Sequence, residues 1–256
     1  MALNVENQLL SSAALEHLPP QDVANFFLDV IAQRALVLNG KLLRVEAFNI
    51  RPHVNFNLAI GRGLTDALQK QAPGLLSSNA KIAVAAVENS ASYVTFGLAQ
   101  GLQVLLGVDD LSIQRIRKGS EPSILADPLR IVRAPVYPVT RGILEHDTPR
   151  WLHAEIPDEL DRSVDIVIVS DDVEGSGSTL QGAERIAHEI YPNAVLARCT
   201  VFRKDQQRTV PHGDIDISLL AIEDFHWEES TGVAILKATG FQPRILERVK
   251  RENFHQ

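Results

Sequence analysis

Two adjacent acids, Asp171 and Asp172, stand just beyond an apolar, β-branched run at residues 164–169. The small residues Gly, Ser, Gly and Ser follow at 175–178, and a helix-like segment covers 179–191. Small residues let the backbone turn sharply and approach a ligand closely. Backbone N–H groups in such a loop, and in the first turn of a helix, bind anions. An anion cradle beside two carboxylates suits a ligand that carries both a phosphate and hydroxyl groups, and a sugar phosphate is the simplest example.

Strand-like and helix-like segments alternate along the chain, and their order predicts how the acids and the loop are positioned. Predicted strands cover residues 41–48, 81–87, 102–108, 131–140, 164–169, 194–202 and 215–222. Predicted helices cover residues 19–35, 55–70, 91–101, 179–191 and 243–253. Such alternation is typical of an α/β fold with a doubly wound, mostly parallel sheet, in which ligands bind at the carboxyl ends of the strands.

Two polar segments between these elements are predicted to lack regular structure. Residues 109–130 are expected to form a loop, and residues 141–161, which show no clear period, are expected to form a flexible lid loop. Pro135 and Pro138 place the strand at residues 131–140 at an edge of the sheet, because proline cannot donate a ladder hydrogen bond.

The composition limits the class of protein. The chain has 256 residues, of which 45% are hydrophobic, and this is enough for one large α/β domain. Its net charge is −7 and it has no Lys/Arg block, which argues against a nucleic-acid surface. No apolar stretch reaches about 18 residues, so no membrane span is predicted. The single cysteine, Cys199, and a first segment without a signal-peptide pattern predict a reducing, cytoplasmic location.

The stretch from the apolar run to Thr179 resembles the ribose-phosphate-binding signature of type I phosphoribosyltransferases, which is a hydrophobic run, two acids, a short spacer and Thr-Gly-Gly-Thr. Ser176 replaces the first Thr and keeps a hydroxyl, whereas Ser178 replaces a Gly. The resemblance implies that Asp171 and Asp172 hold the ribose hydroxyls of phosphoribosyl pyrophosphate. It also implies a 5-phosphate site formed by Glu174, Gly175, Ser176, Gly177, Ser178 and Thr179.

Four further segments resemble this family, in the same order along the chain. Residues 41–48 look like the segment that begins the core of the xanthine-type enzymes, and residues 136–141 resemble their Val-Tyr-Ser-Phe-Thr-Lys stretch. Residues 87–91 resemble their Ile-Glu-Ala-Ser-Gly turn, and residues 115–118 resemble the basic segment that contacts pyrophosphate. The implied pyrophosphate site comprises Glu88, Asn89, Ser90, Ala91, Arg115, Arg117 and Lys118, with Arg117 in a catalytic role.

The resemblance also implies an organisation and partners. An N-terminal arm and helix at residues 1–40, a core at 41–205 and a small hood with the tail at 206–256 are expected to pack as one domain. Lys204, after the strand that follows the loop, and Phe225, in the hood, are expected to contact the base. Mg²⁺ is expected to bind mainly through the substrate, without a dedicated protein site, and the protein is expected to be a homodimer.

The predicted function is transfer of the 5-phosphoribosyl group from phosphoribosyl pyrophosphate to a nitrogenous, purine-like base, with release of pyrophosphate. Two alternatives stay open at this point. One is a regulator that binds phosphoribosyl pyrophosphate without chemistry, and the other is a hydrolase in which water replaces the base.

Overall fold

The structure is a computed structural model that describes residues 22, 24–25, 28–29, 35–38, 42–45, 54–88, 92–108, 110–119, 130–137, 139–140, 143–144, 149–204, 215–228 and 233–245. Its helices are α1 (Val54–Gln71), α2 (Ser92–Leu106) and α3 (Ser178–Ile190). Its strands are β1 (Ala35–Leu38), β2 (Leu42–Val45), β3 (Ile82–Val87), β4 (Leu111–Lys118), β5 (Ile131–Val136), β6 (Val139–Thr140), β7 (Ile143–Leu144), β8 (Arg150–Glu155), β9 (Ile166–Glu174), β10 (Val195–Lys204), β11 (Ile215–Glu228), β12 (Val233–Ala238) and β13 (Arg244–Ile245).

A nine-stranded sheet forms the centre of the described structure, in the order β13-β12-β11-β10-β9-β3-β4-β8-β5. The five strands from β11 to β4 are parallel to one another. Antiparallel strands extend this parallel centre on both sides. The predicted α/β fold with a mostly parallel central sheet is therefore confirmed, and β5 occupies an edge as its prolines predict.

Helices cover both faces of the parallel centre, which is why β3 is buried along its whole length. Helices α1 and α2 pack on one face and approach each other so closely that a Cβ added at Gly61 would collide with the backbone of Gly97. Helix α3 packs on the other face, where a Cβ at Gly182 would lie 2.6 Å from Val136 and 3.1 Å from Leu152. Of the described helices, none is long and apolar enough to cross a membrane.

The boundary predicted between α2 and the next strand is wrong. Residues 102–106, which are apolar except for Gln103, belong to α2. The strand that follows is β4, which lies in the segment predicted to be a loop. A short apolar run does not distinguish a buried helix end from a strand. In β4 the buried side chains are those of Gln114 and Ile116, whereas Ile113 is 40% exposed. The face of β4 that packs on the core therefore does not show as an alternation of apolar residues in the sequence.

Two other predicted segments also differ from the structure. Residues 150–155 form β8 inside the sheet and are not part of a lid loop, because Leu152 and Ala154 alternate into the core. Residues 145–148 of that predicted loop lie outside the described residues. Where a C-terminal helix is predicted, the residues that can be compared form β13, which pairs with β12.

The ends of the described chain contact each other. Arg244 of β13 donates a hydrogen bond from Nε to Asp29 Oδ1 at 2.7 Å, and another from Nη2 to Asn25 Oδ1 at 3.4 Å. This joins the predicted N-terminal helix to the predicted hood. The division at residues 40 and 205 stays a prediction.

Candidate active site

The carboxyl ends of four parallel strands bring the predicted site residues to one edge of the sheet. Ala86 of β3 is in register with Ser170 of β9 and with Arg115 of β4, and Glu174 of β9 is in register with Arg203 of β10. Because parallel strands end at the same side, the chain segments that follow them converge there. The two acids, the basic segment, Glu88 and Lys204 therefore share this edge.

The two acids lie at the end of β9 with both side chains almost fully buried, 3% exposed for Asp171 and 7% for Asp172. The backbone N–H of Asp172 donates to Asp171 Oδ1 at 2.9 Å, and the N–H of Val173 donates to Asp172 Oδ1 at 2.8 Å. Burial raises the pKa of Asp171 well above its usual range, and the neighbouring Asp172 raises it further, whereas the charge of Lys118 acts in the opposite direction. Two carboxylates are thus held side by side in a site that disfavours their combined charge.

The loop after the acids ends on a residue in the left-handed conformation. Gly177 caps α3 with φ 83° and ψ −6°, a conformation that glycine adopts without steric cost. Gly177 offers no side chain to the N–H groups of the first helical turn, and the Ser178 N–H makes a long contact of 3.4 Å with Ser176 Oγ. A helix N-terminus of this kind can bind an anion. The loop between β9 and α3 therefore has the geometry expected of a phosphate site.

Ser178 stands where the signature that the chain resembles has a Gly, and Ser170 stands where it usually has an apolar residue. Ser178 is the first residue of α3, where a side chain is accommodated, and its Oγ lies 3.0 Å from Ser176 Oγ. The buried Ser170 hydroxyl lies 2.7 Å from Thr95 Oγ1 and so joins β9 to α2.

Glu88 holds two of the predicted pyrophosphate-binding arginines. Its Oε2 accepts a hydrogen bond from Arg117 Nε at 3.1 Å, and its Oε1 lies 3.8 Å from Arg115 Nε. Arg117 Nη1 also lies 3.6 Å from Glu155 Oε1 of β8. The arginine side chains stay about half exposed, so a ligand can reach them. Of the other residues predicted for this site, Asn89, Ser90 and Ala91 lie outside the described residues.

The two residues predicted to contact the base lie on neighbouring strands. Lys204 is the last residue of β10, and burial lowers its pKa to about 8. Phe225 lies beyond the parallel part of β11, where its backbone is in register with Leu236 of β12. The Phe225 side chain is outside the described part of the chain.

A buried arginine of β10, Arg198, was not among the site residues predicted from the sequence. Arg198 of β10 is 1% exposed, and its Nε and Nη2 donate to the two carboxylate oxygens of Glu184 on α3. Its Nη1 lies 3.5 Å from Glu174 Oε1. A signal existed, because a charged residue inside a strand predicted to be buried requires an acidic partner.

Within the described residues, no three His, Cys, Asp or Glu side chains lie together in a way that could hold a metal ion.

Comparison with known proteins identifies the fold. No family model and no curated protein matches the sequence. The structure matches adenine phosphoribosyltransferase from Saccharomyces cerevisiae, solved with D-2,5-dideoxy-2,5-imino-altritol 1,6-bisphosphate and adenine, with a TM-score of 0.54 and 16% identity over 78% of this chain and 99% of the other. It also matches adenine phosphoribosyltransferase from Rhodothermus marinus, with a TM-score of 0.50 and 13% identity over 78% of this chain and 99% of the other.

These matches define the class of structure to which the chain belongs. The chain has the type I phosphoribosyltransferase fold, as the motif at the end of β9 predicts. Both matched proteins are purine enzymes of that fold.

Proposed function

We propose that this protein transfers the 5-phosphoribosyl group of phosphoribosyl pyrophosphate to a nitrogenous, purine-like base and releases pyrophosphate. One observation carries the proposal. Two buried carboxylates near the end of β9, Asp171 and Asp172, lie two residues before a loop that ends on left-handed Gly177 at the N-terminus of α3. Carboxylates that accept hydrogen bonds from hydroxyls, next to N–H groups that bind phosphate, match a ribose 5-phosphate group.

Asp171 and Asp172 would hold the 2- and 3-hydroxyls of the ribose. A hydroxyl bound to an ionised carboxylate makes a short, charge-assisted hydrogen bond. Since each acid is already fixed by a backbone N–H, the carboxylates need little rearrangement to bind the sugar. The loop residues, with the first turn of α3, would hold the 5-phosphate.

Arg115, Arg117 and Lys118 would face the leaving pyrophosphate. As the bond between C1 of the ribose and oxygen breaks, its electron pair goes to pyrophosphate, and the base nitrogen forms the new bond to C1. Cationic groups placed near the departing oxygens stabilise the charge that develops on them. In this arrangement Glu88 orients the arginines before the ligand arrives.

Mg²⁺ fits the donor groups of this edge. It prefers oxygen ligands and is usually bound by one or two carboxylates together with substrate phosphates. Asp171 and Asp172 supply carboxylate oxygens beside the proposed phosphate sites, and the ion would neutralise part of the diphosphate charge. Contacts of Lys204 and Phe225 with the base and a homodimeric state stay predictions from the family resemblance. A cytoplasmic location stays a prediction from the sequence composition.

The test is a direct assay. Purified protein is incubated with phosphoribosyl pyrophosphate, Mg²⁺ and, separately, adenine, hypoxanthine, guanine and xanthine, and both pyrophosphate and nucleotide are measured. We expect release of pyrophosphate that depends on one of the bases and falls at least about 10-fold in Asp172→Asn, which loses a charge-assisted bond to the ribose. Asp110→Asn is the matched control, because Asp110 is exposed and precedes β4 at the opposite end of the strand.

The outcomes separate the alternatives. Ribose 5-phosphate formed without any base would indicate a hydrolase, and tight binding of phosphoribosyl pyrophosphate without turnover would indicate a regulator. Unchanged kinetics in Asp172→Asn would remove the assignment of the carboxylates to the ribose.

A further inference from the structure

A buried ion-pair cluster lies beneath the loop between β9 and α3. Arg198 of β10 binds both carboxylate oxygens of Glu184 through Nε and Nη2, and its Nη1 lies 3.5 Å from Glu174 Oε1. The side chains of Arg198 and Glu174 are 2% and 0% exposed, and that of Glu184 is 14% exposed. The cluster is therefore shielded from solvent, where electrostatic interactions are strong.

The three residues of the cluster stand on three different elements of the site. Glu174 is the last residue of β9 and directly precedes the loop, whereas Glu184 lies on α3, which directly follows the loop. Arg198 lies on β10, the strand that pairs with β9. One guanidinium thus joins the start and the end of the loop to the sheet.

The charges of the cluster explain why the arginine is needed there. Two carboxylates next to the loop oppose the binding of a phosphate, and the single positive charge of Arg198 offsets one of the two negative charges. Asp216 of β11 adds a further acid, in register with Arg198 and 3.8 Å from Arg203. A buried carboxylate without a cation would either become protonated or move toward solvent, and either change would shift the end of β9.

We propose that Arg198 and Glu184, acting through Glu174, position the loop for the 5-phosphate. Glu174 is then a positioning residue that holds the end of β9, and its carboxylate does not contact the substrate. This inference rests on the proposed function of the loop. It assigns a role to residues of α3 and β10 that do not belong to the family signature.

Two substitutions test the direction of the effect. Glu174→Gln and Glu184→Gln keep the side-chain volume and each remove one negative charge near the loop. If these carboxylates acted only through their charge, their removal would tighten the binding of an anion. If they position the loop, the dissociation constant for ribose 5-phosphate rises at least about 10-fold, the usual effect of losing one charge-assisted contact.

The binding of ribose 5-phosphate and of inorganic pyrophosphate is measured by calorimetry on the full chain. We expect pyrophosphate affinity to change less than about 3-fold, because its proposed ligands lie on β4 or follow β3 in the sequence, away from the substituted residues. In turnover assays we expect KM for phosphoribosyl pyrophosphate to rise more than kcat falls. Glu189→Gln is the control, since Glu189 is an exposed residue of the same helix.

Each result decides the inference. Tighter or unchanged binding of ribose 5-phosphate in both folded variants overturns it, while the proposed function stands if the unmodified protein binds both ligands. If the unmodified protein binds neither ligand, the proposed function and this inference both fail. Thermal unfolding shows which variants are folded. If Glu174→Gln does not fold, the binding of ribose 5-phosphate to Glu184→Gln tests the inference alone, because Glu184 is the more exposed of the two residues.

Discussion

Replacing Asp171 by Asn is expected to stabilise the protein at neutral pH while it impairs substrate binding. Burial and the adjacent Asp172 raise the pKa of Asp171 well above its usual range, so ionising Asp171 at pH 7 opposes folding. The desolvation penalty of one buried polar group is about 1–3 kcal/mol, and it is larger for a charged group. The Asn oxygen can still accept the hydrogen bond from the Asp172 N–H. We therefore expect the free energy of unfolding at pH 7 to rise by at least about 1 kcal/mol, which is roughly 2–4 °C in Tm for a chain of this length.

The pH dependence gives the sign of the effect. Between the unfolded pKa of about 3.9 and the raised folded pKa of Asp171, the folded protein holds the proton more tightly than the unfolded chain. The contribution of Asp171 to stability therefore falls as the pH rises through this range, and then stays constant. Asp171→Asn lacks this contribution, so its advantage over the unmodified protein grows across the same range.

Activity is expected to change in the opposite direction. An amide oxygen can accept a hydrogen bond from a ribose hydroxyl but lacks the negative charge that Asp171 would carry with substrate bound, and the loss of a charge-assisted bond costs about 1.5–3 kcal/mol. We expect kcat/KM for phosphoribosyl pyrophosphate to fall about 10- to 100-fold in Asp171→Asn. Urea unfolding at several pH values and pyrophosphate release are the two measurements, with Asp110→Asn as the exposed control. A variant less stable than the unmodified protein at pH 7 would refute the reasoning, because Asp171 would then be stabilised by partners and not destabilised by burial.

Three further substitutions test the elements that carry the site. Gly61→Ala should lower the free energy of unfolding, measured with urea, by about 1–3 kcal/mol, because the added Cβ collides with the backbone of Gly97. Gly74→Ala is the control and should have little effect, because the space around its Cβ is open. Equal effects of the two substitutions would contradict the close packing of α1 and α2. Gly177→Ala places a side chain on a residue in the left-handed backbone conformation and should lower the free energy of unfolding by about 1–2 kcal/mol. It should also weaken the binding of ribose 5-phosphate measured by calorimetry. No effect on either quantity would argue against the loop geometry. Since burial lowers the pKa of Lys204 to about 8, the unfolded chain binds more protons between pH 8 and about 10.4, so stability contributed by this residue should rise with pH there. Lys204→Met should remove that rise in pH-dependent unfolding, and an unchanged slope would show that Lys204 is not the group responsible.

The residues with strong local patterns were predictable from the sequence alone. The apolar run before Asp171 predicts β9, because a strand covered on both faces is apolar along its length. The small residues that follow predict a sharp turn, and the 3.6-residue period after them predicts α3. These elements contain the acids and the loop proposed to bind the 5-phosphate, so a sugar-phosphate ligand could be proposed before any tertiary structure was considered.

The tertiary structure decided what depends on contacts between distant segments. Packing against α1 makes residues 102–106 a helix end, and pairing with β3 and β8 makes β4 a strand, although its exposed face carries apolar as well as charged residues. The raised pKa of Asp171 follows from burial among neighbouring elements, which no local pattern reports. The pairing of Arg198 with Glu184 and Glu174 also needs the fold, because it joins residues of α3, β9 and β10 across the sheet. Local sequence sets which chemical groups are present, whereas burial and long-range pairing set their charge and orientation.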